Sequence, residues 1–199
     1  FSSLKMSRTL FVGDVHSCAT ELRLLLEQVR PTRVILVGDI FNKGPDPDLT
    51  WALIQDWKAE AVVGNHDLKV IQKAAKGDFR APREAIAWLK SLPLTIEGEG
   101  WIAVHAGLNP EGPTTKEQAV RIRRWPNDQT ESNPFWWECY SGDRLVIYGH
   151  DALRGLQDHR PNTLGLDTGC VYGGRLTGYL LEEDRIVSVP AVGSILTTK

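Results

Sequence analysis

Short apolar runs alternate with amphipathic stretches along the first third of the chain. Residues 9–13 and residues 33–37 are each a brief apolar run, too short for a helix, and both predict buried strands. Between them, leucines recur at helical spacing, which predicts a helix over residues 18–29 with one apolar face. This strand–helix–strand order is typical of a layered α/β fold.

The alternation continues towards the C-terminal part of the chain. It predicts helices at residues 49–58 and 68–75 and strands at residues 61–63, 101–104 and 145–148. It also predicts a closing antiparallel pair of strands at residues 175–181 and 185–189. A loop rich in glycine, proline and aspartate at residues 44–48 precedes the first of these helices. The polar stretch of residues 109–142 is predicted to be a lid or specificity segment, because long irregular connections are usually functional.

The length of 199 residues and the hydrophobic content of 42% predict a single domain with a sizeable core, which we place at residues 6–199. The only methionine is Met6, so residues 1–5 are expected to be a remnant foreign to the native chain. No apolar run approaches the roughly 20 residues that a membrane helix needs, which predicts no membrane partner.

Charge and cysteine content narrow the function classes. The formal net charge of −2 excludes the overall basic field of a non-specific nucleic-acid binder, so an anionic substrate has to be held locally. The three cysteines are an odd number, widely spaced and without a CxxC pair, which argues against a disulfide framework and a zinc ribbon. We therefore expect a reducing, cytoplasmic location.

Five short polar motifs each follow a predicted strand, and four of the five histidines lie inside them. The motifs are Gly13-Asp14-Val15-His16, Gly38-Asp39, Gly64-Asn65-His66-Asp67, His105-Ala106-Gly107 and Gly149-His150. Any one of them alone is more often a turn or a helix cap than a site. Because the carboxyl ends of strands line the ligand crevice of an α/β sheet, the five together indicate one polar site.

The residue types of these motifs suit a pair of metal ions. Asp14 and His16 are two residues apart, so in extended chain both side chains lie on one face, and Asp39 can offer one oxygen to each of two ions. Carboxylate, amide and imidazole ligands favour Mn, Fe, Zn or Co over Mg and Ca. Two such ions about 4 Å apart polarise a phosphoryl oxygen and activate a water. The sequence therefore predicts hydrolysis of phosphate esters or anhydrides.

These motifs resemble those of the calcineurin-like metallophosphoesterases and, within them, the phosphoprotein phosphatases. The resemblance spans nearly the whole chain after Met6, and residues 165–177 look like the closing signature of bacterial members that include the symmetrical diadenosine tetraphosphatases. It implies a four-layer αββα sandwich, with two mixed β-sheets flanked by helices. It also implies two divalent ions, Mn above Fe, Zn, Co or Mg, and direct attack by a hydroxide that bridges them.

The resemblance assigns roles to individual residues. It implies that one ion is held by Asp14, His16 and Asp39, and the other by Asp39, Asn65, His105 and His150. His66 matches the general acid, although a histidine in this place could instead hydrogen-bond a ligand. Asp67 of the same motif is included as a catalytic candidate. The candidates for phosphate binding are Asn65, Lys43, Arg123 and Arg124, of which the arginines could equally lie on a solvated helix face.

The second motif departs from the protein phosphatases, because Asn42-Lys43 replaces Asp-Arg. The change removes the carboxylate that would orient and charge the acid histidine, and it replaces a bidentate guanidinium with a point charge. This lysine, with residues 154–157, resembles the ApaH-like phosphatases, a branch associated with nucleoside polyphosphates, polyphosphate and RNA caps. Ser17 stands where the motif has glycine, which is tolerable if that position needs no positive φ.

Three functions stay open on the sequence alone. The favoured one is hydrolysis of dinucleoside polyphosphates such as diadenosine tetraphosphate, or of related polyphosphates. The alternatives are a Ser/Thr or Tyr protein phosphatase and a metal-bound scaffold without catalysis. The expected partner is a small phosphate-containing molecule, with a phosphoprotein as the alternative and no sequence-specific nucleic acid. Four aromatic residues could stack a base, but for at least two of them a local core is favoured: Trp125, Phe135, Trp136 and Trp137.

Overall fold

The computed structural model describes residues 5–192, and within this range the chain forms ten β-strands and six α-helices. The strands are β1 (Thr9–Val12), β2 (Arg33–Leu36), β3 (Glu60–Ala61), β4 (Thr95–Gly98), β5 (Trp101–Val104), β6 (Leu145–Tyr148), β7 (Gln157–His159), β8 (Thr163–Gly165), β9 (Arg175–Leu180) and β10 (Arg185–Pro190). The helices are α1 (Ala19–Val29), α2 (Pro47–Asp56), α3 (Asn65–Ala75), α4 (Arg83–Lys90), α5 (Lys116–Arg121) and α6 (Trp136–Cys139). Residues 1–4 of the segment expected to be foreign, and residues 193–199 of the expected domain, lie outside the described residues.

The strands form two five-stranded mixed sheets. The first has the order β10-β9-β1-β2-β3, in which β1, β2 and β3 are parallel and β9 is antiparallel to both of its neighbours. The second has the order β4-β5-β6-β8-β7, in which β5, β6 and β8 are parallel and the two edge strands are antiparallel. Two mixed sheets flanked by helices were predicted, and this fold is confirmed.

Alternation along the strands divides the core into layers, because successive side chains point to opposite faces of a sheet. In β1, Leu10 and Val12 pack against the helices of the first sheet, whereas Phe11 packs against the second sheet. In β5, Trp101 faces the first sheet and Ile102 faces the cluster that contains α5 and α6. Both faces of each central strand are therefore buried, which explains why these strands read as continuous apolar runs.

Two helix starts differ from the prediction, and capping explains both. Helix α2 begins at Pro47 rather than at residue 49, because the Asp46 side chain accepts the Leu49 N–H at 2.9 Å and proline suits the first helical position. Helix α3 begins at Asn65 rather than at residue 68, since the Asp67 side chain accepts the Gly64 N–H at 2.8 Å. The polar motif is thus the first turn of the helix.

Two short helices hold the stretch of residues 109–142 against the core, although most of it has no regular secondary structure. It contains α5 and α6, and Trp136 is only 1% exposed in a cluster shared with β5 and β6. Trp125 and Trp137 pack against the same cluster, and Phe135 stacks on Trp137. The local core predicted for at least two of these aromatic residues is confirmed. Within residues 5–192, the helices are all too short or too polar to cross a membrane.

Candidate metal centre

The carboxyl edges of the two sheets meet at one polar cavity of about 180 Å³. Parallel register brings the motifs there. Ala103 lies opposite Ile147, so two residues further on His105 lies beside Gly149, whose N–H donates to the backbone carbonyl of His105 at 2.8 Å. The residues that line the cavity include Asp14, His16, Asp39, Lys43, Asn65, His66, Arg123 and His150. His105 is fully buried directly beneath them.

Close backbone approach joins the sheets at this edge. Gly38 has a φ of +93°, and a Cβ atom there would lie 2.6 Å from Nδ1 of His105, in the other sheet. A side chain on Gly13 would likewise collide with the carbonyl of Leu166. Glycine at these two positions is therefore a steric requirement of the site.

The candidate ligands fall into two overlapping groups. Asp14, His16 and Asp39 offer atoms that all lie within 4.8 Å of one another, as do Asp39, His105 and His150. Nε2 of His16 lies 3.7 Å, and Nε2 of His105 3.3 Å, from Oδ2 of Asp39. Asn65 adds its Oδ1, which lies 3.0 Å from Nε2 of His105. Asp39 is thus shared by both groups, as a bridging ligand has to be.

Backbone carbonyls orient the imidazoles. Nδ1 of His16 lies 2.9 Å from the Asn42 carbonyl, and Nδ1 of His105 lies 2.7 Å from the Val37 carbonyl. A neutral ring that donates from Nδ1 keeps a lone pair on Nε2, which in both residues faces Asp39. His150 is reversed, with Nε2 3.2 Å from the Arg121 carbonyl. These contacts prepare the rings as ligands before any ion binds.

The electrostatics of the cavity fit divalent cations. Burial lowers the pKa of His16, and burial together with the neighbouring His105 lowers that of His150, which favours the neutral form that binds metal. Burial, Asp167 and Asp39 raise the pKa of Asp14 well above its usual range. For Asp39, burial is outweighed by the histidines around it, and the pKa is lowered. Burial would lower the pKa of His105, but its pairing with Asp39 outweighs this and raises it, so an ion at this place would displace a proton from His105. Carboxylates and deprotonated imidazoles are the donors that borderline divalent metals prefer.

Several ligand positions have a strained backbone. His16, Asp39 and His150 have φ values of +46°, +54° and +73°, a region that non-glycine residues rarely occupy. Ser17 also has a positive φ, of +56°, so the condition under which a serine would replace glycine without strain is not met. The Ser17 hydroxyl instead donates to the Phe41 carbonyl at 2.6 Å, which offsets part of the cost.

The candidate acid His66 contacts the residue that departs from the protein phosphatases. Nδ1 of His66 lies 2.6 Å from the Asn42 amide nitrogen, so the ring accepts there and carries its proton on Nε2. Burial lowers the pKa of His66 to about 4. The charges of His16, Lys43 and Lys69 act in the same direction, whereas the charge of Asp39 opposes them. An amide therefore occupies the place in which a carboxylate would stabilise the imidazolium.

Changing Asn42 to aspartate is expected to move the pH dependence of the reaction. A carboxylate within hydrogen-bond distance of Nδ1 favours protonated His66, so the pKa of His66 should rise by about one unit or more. With a phosphoester substrate, whose leaving group needs the proton, the alkaline limb of kcat/KM follows the loss of protonated His66 and should move to higher pH. Steady-state rates across pH, with the His66 resonance followed by NMR, measure this. Identical profiles for N42D and the parent chain would contradict the role of the contact.

Asp67 lies behind the cavity. Its carboxylate accepts the N–H groups of Asp39 and Gly64 at 2.8 Å and that of Ile40 at 2.9 Å, and the residue is 0% exposed. Burial and the charge of Asp39 raise its pKa to about 7, while the hydrogen bonds from Ile40 and Gly64 lower it. This geometry gives Asp67 the task of fixing the loop that carries Asp39.

The structure brings only one of the two candidate arginines to the cavity. Arg123 lines it and pairs with Asp151, its Nε 3.7 Å from Oδ1. Arg124 donates to the Asn133 carbonyl at 2.6 Å and lies over the Phe135 ring, facing a different surface hollow. Lys43 lines the cavity and donates to the Tyr172 hydroxyl. The phosphate candidates therefore narrow to Asn65, Lys43 and Arg123.

Asp167 is a cavity residue that sequence reasoning missed. It follows β8, whose three residues are too few to show as an apolar run, and it lies in residues 165–177, the segment that resembles a closing signature. Tyr148 of β6 lies opposite Gly165 of β8, so two residues further His150 and Asp167 occupy equivalent places at the sheet edge. The rule that strand ends carry ligands would have found it, had β8 been recognised.

Known proteins resemble the chain over nearly its full length. The sequence profile of the family described as calcineurin-like phosphoesterase matches residues 7–188. A symmetrical bis(5'-nucleosyl)-tetraphosphatase of Methylobacillus flagellatus is 27% identical, over 92% of this chain and 95% of its own. An asymmetrical bis(5'-nucleosyl)-tetraphosphatase of Anoxybacillus flavithermus is 28% identical, over 90% and 93%.

Solved structures agree with this picture. A crystal structure of a protein assigned as a diadenosine tetraphosphatase superposes with a TM-score of 0.88 at 31% identity, covering 96% of both chains. A serine/threonine phosphatase of Saccharomyces cerevisiae superposes with a TM-score of 0.62 at 13% identity, over 96% of this chain and 82% of its own. The second likeness extends to the fold alone.

Proposed function

The chain belongs to the calcineurin-like phosphoesterases and is a metal-dependent phosphohydrolase, and from this premise we propose that it cleaves phosphoanhydride bonds of dinucleoside polyphosphates such as diadenosine tetraphosphate. The names of relatives that align with nearly the whole chain support this substrate class. The structural observation that carries the proposal is the amide of Asn42 beside Nδ1 of His66.

The leaving group explains why that contact matters. A phosphoanhydride departs as a phosphate anion, which is stable without a proton near neutral pH, whereas phosphoserine departs as an alkoxide that needs one. A histidine with a pKa of about 4 is rarely protonated at neutral pH. Through its Nε2 proton it can still donate a hydrogen bond to the departing oxygen. The site is therefore better suited to an anhydride than to a phosphoprotein.

The residues divide the remaining work. We propose that Asp14, His16 and Asp39 hold one ion and that Asp39, Asn65, His105 and His150 hold the other. Two divalent ions, of which Mn²⁺ is our choice, would polarise the phosphoryl oxygen and supply a hydroxide for direct attack. Asp67 holds the Asp39 loop in place through three backbone N–H groups.

Positive side chains at the rim of the cavity suit a substrate with several phosphates. Lys43 and Arg123 both line the cavity outside the candidate ligands, so phosphates next to the reacting one would meet fixed charges. The chain has a net charge of −2 and therefore no overall positive field, so an anionic substrate has to be held by local positive side chains such as these.

Arg123→Ala is expected to reduce kcat/KM for diadenosine tetraphosphate roughly tenfold, chiefly through KM, because a charge-assisted hydrogen bond to phosphate is lost. Arg124→Ala removes the neighbouring positive charge, whose guanidinium faces away from the cavity, and should change kcat/KM less than about twofold. Steady-state kinetics at several ionic strengths compare the two. Equal losses would show that both arginines act only through the general field.

The substrate class is tested with Mn-loaded protein and three substrates: diadenosine tetraphosphate, inorganic polyphosphate and a phosphoserine peptide. We expect rapid turnover of the dinucleotide, with nucleotide products resolved by chromatography to show which bond is cut. Turnover of the peptide alone would overturn the proposal in favour of a protein phosphatase. Lack of turnover with any of several metals would favour a scaffold.

A further inference from the structure

Tyr172 lines the cavity beside Lys43, and the chemistry proposed above gives it no role. The Lys43 ammonium donates a hydrogen bond to the Tyr172 hydroxyl oxygen. Within residues 5–192, Lys43 takes part in no ion pair. The partner that the structure gives to this charged group is therefore a neutral one.

The backbone of Lys43 is fixed beside the loop that carries a candidate ligand. Lys43 has a φ of +76°, which a lysine keeps only where its surroundings impose it. On one side, the Asn42 carbonyl lies 2.9 Å from Nδ1 of His16. On the other side, a Cβ atom on Gly44 would lie 1.8 Å from the His16 carbonyl oxygen, so the two backbones are in contact. The freedom that Lys43 retains is that of its flexible four-carbon side chain.

Tyr172 is held more firmly, by a short helical turn at Cys170–Tyr172. The Tyr172 N–H donates to the Gly169 carbonyl at 2.9 Å, and the Gly173 N–H donates to the Cys170 carbonyl at 3.0 Å. The half-buried ring packs against the core on the helix side of the first sheet. The Tyr172 hydroxyl is therefore a fixed acceptor for a mobile ammonium.

A neutral partner suits a side chain that has to attract phosphate. Arg123, the other positive side chain at the rim, is paired with the carboxylate of Asp151, which compensates part of its charge. A hydroxyl fixes the direction of the Lys43 ammonium and leaves its charge intact. An ammonium has three N–H donors, so two remain for oxygens of a substrate when one is directed to Tyr172.

We propose that Tyr172 is a positioning residue that holds the Lys43 ammonium at the cavity before the substrate arrives. The proposal rests on the proposed function, in which Lys43 binds a phosphate. A lysine lacks the preformed fork of the arginine that the protein phosphatases have in this motif. Ordering a flexible side chain in advance improves affinity by about two- to tenfold. Tyr172 therefore offsets part of what the change from arginine to lysine costs in binding.

The test begins with Tyr172→Phe, which removes the hydroxyl and keeps the ring that packs on the core, and with Tyr172→Leu, which removes both. In the Mn-loaded chain, each should raise KM for diadenosine tetraphosphate about two- to tenfold and change kcat less than about twofold. Tyr140→Phe is the matched control, because its hydroxyl donates to the Arg144 carbonyl at 2.8 Å in a different surface hollow. A KM for Tyr172→Phe equal to that of the parent overturns the proposal, whether or not Tyr172→Leu folds.

A double-mutant cycle separates positioning from a direct or structural role. If Tyr172 acts through Lys43, its replacement has nothing left to disturb once the ammonium is gone. In a Lys43→Met background, Tyr172→Phe should therefore change KM by less than about 1.5-fold. A loss as large as in the parent background would show that the hydroxyl contacts the substrate itself or supports the fold, and the proposal would be wrong.

Equilibrium binding distinguishes this proposal from the proposed function. Methylenediphosphonate carries two phosphoryl groups joined through carbon, so water does not cleave it, and calorimetry with the Mn-loaded chain measures its Kd. Tyr172→Phe should raise this Kd about two- to tenfold, and only when Lys43 is present. That result in a chain that leaves diadenosine tetraphosphate intact would refute the proposed function and support the positioning role. Normal turnover of the dinucleotide, with a Kd and a KM that ignore Tyr172, would do the reverse.

Discussion

Asp39→Asn is expected to empty both metal sites and to lower kcat/KM by roughly a thousandfold or more, because metal chemistry supplies several kcal/mol of transition-state stabilisation. Asp39 is the one residue shared by the two ligand groups, with Oδ2 3.7 Å from Nε2 of His16 and 3.3 Å from Nε2 of His105. An asparagine offers one neutral oxygen in place of two charged ones. Both ions therefore lose a ligand and the charge that balances them.

Metal content by elemental analysis and turnover of diadenosine tetraphosphate measure this prediction together. Asp56→Asn is the matched control, since it makes the same chemical change on the exposed face of α2. Two bound ions and normal turnover in Asp39→Asn would rule out a bridging role for this carboxylate.

The second large effect is expected from His66→Asn, which should slow the turnover of diadenosine tetraphosphate by about a hundredfold, because the Nε2–H hydrogen bond to the departing oxygen is lost. Metal content should stay at the level of the parent, because His66 contacts Asp39 through its backbone N–H, at 2.9 Å, and the substitution leaves that group in place. The loss should be larger for an ester whose leaving group needs a proton.

Measuring both quantities separates the two roles that a histidine in this place can have. Loss of turnover with both ions retained identifies the imidazole as a catalytic group. Loss of both together would instead make it a support for the ligands. Comparison of the dinucleotide with a phosphoserine peptide then shows whether the size of the effect follows the leaving group.

Much of this fold could be predicted because its central strands are buried on both faces. The apolar runs at β1, β2, β5 and β6 stand out in the sequence, and the closing pair β9 and β10 shows the expected antiparallel register. The ends of these strands carry most of the polar motifs. Recognising a strand in the sequence was therefore nearly the same as locating a candidate ligand.

Two of the strands that the sequence does not reveal lie at the edges of the second sheet. Strand β7, Gln157–His159, has no apolar residue, and β4, Thr95–Gly98, is only partly buried, so neither gives a period that a sequence can show. Their strand character comes from hydrogen bonds to a neighbour, which is a tertiary cause. Helix α4 has only eight residues, and the sequence pattern predicts no element there. The omission of β8 mattered most, because Asp167 was lost with it.

The contact between Asn42 and His66 shows what a sequence motif reveals and what it does not. The sequence revealed that a carboxylate had been replaced by an amide, and it predicted that the acid histidine would lose its usual partner. Only the structure shows the two groups 2.6 Å apart, because 24 residues and a whole helix separate them in the chain. This distance shows that the amide of Asn42 directly contacts the imidazole of His66, and so connects the change in sequence with the kind of leaving group that the site suits.

The meeting of the two sheets at the cavity has a consequence for the lifetime of the protein. Asp14 and Asp39 follow strands of the first sheet, and His105 and His150 follow strands of the second, so ions held by all four would tie the layers together. A ligand that binds only the folded chain stabilises it by mass action. A shortage of divalent metal would then do more than slow catalysis, because it would also weaken the contact between the two sheets. The less stable chain would be cleaved more readily by proteases, so the amount of folded enzyme would depend on the metal supply.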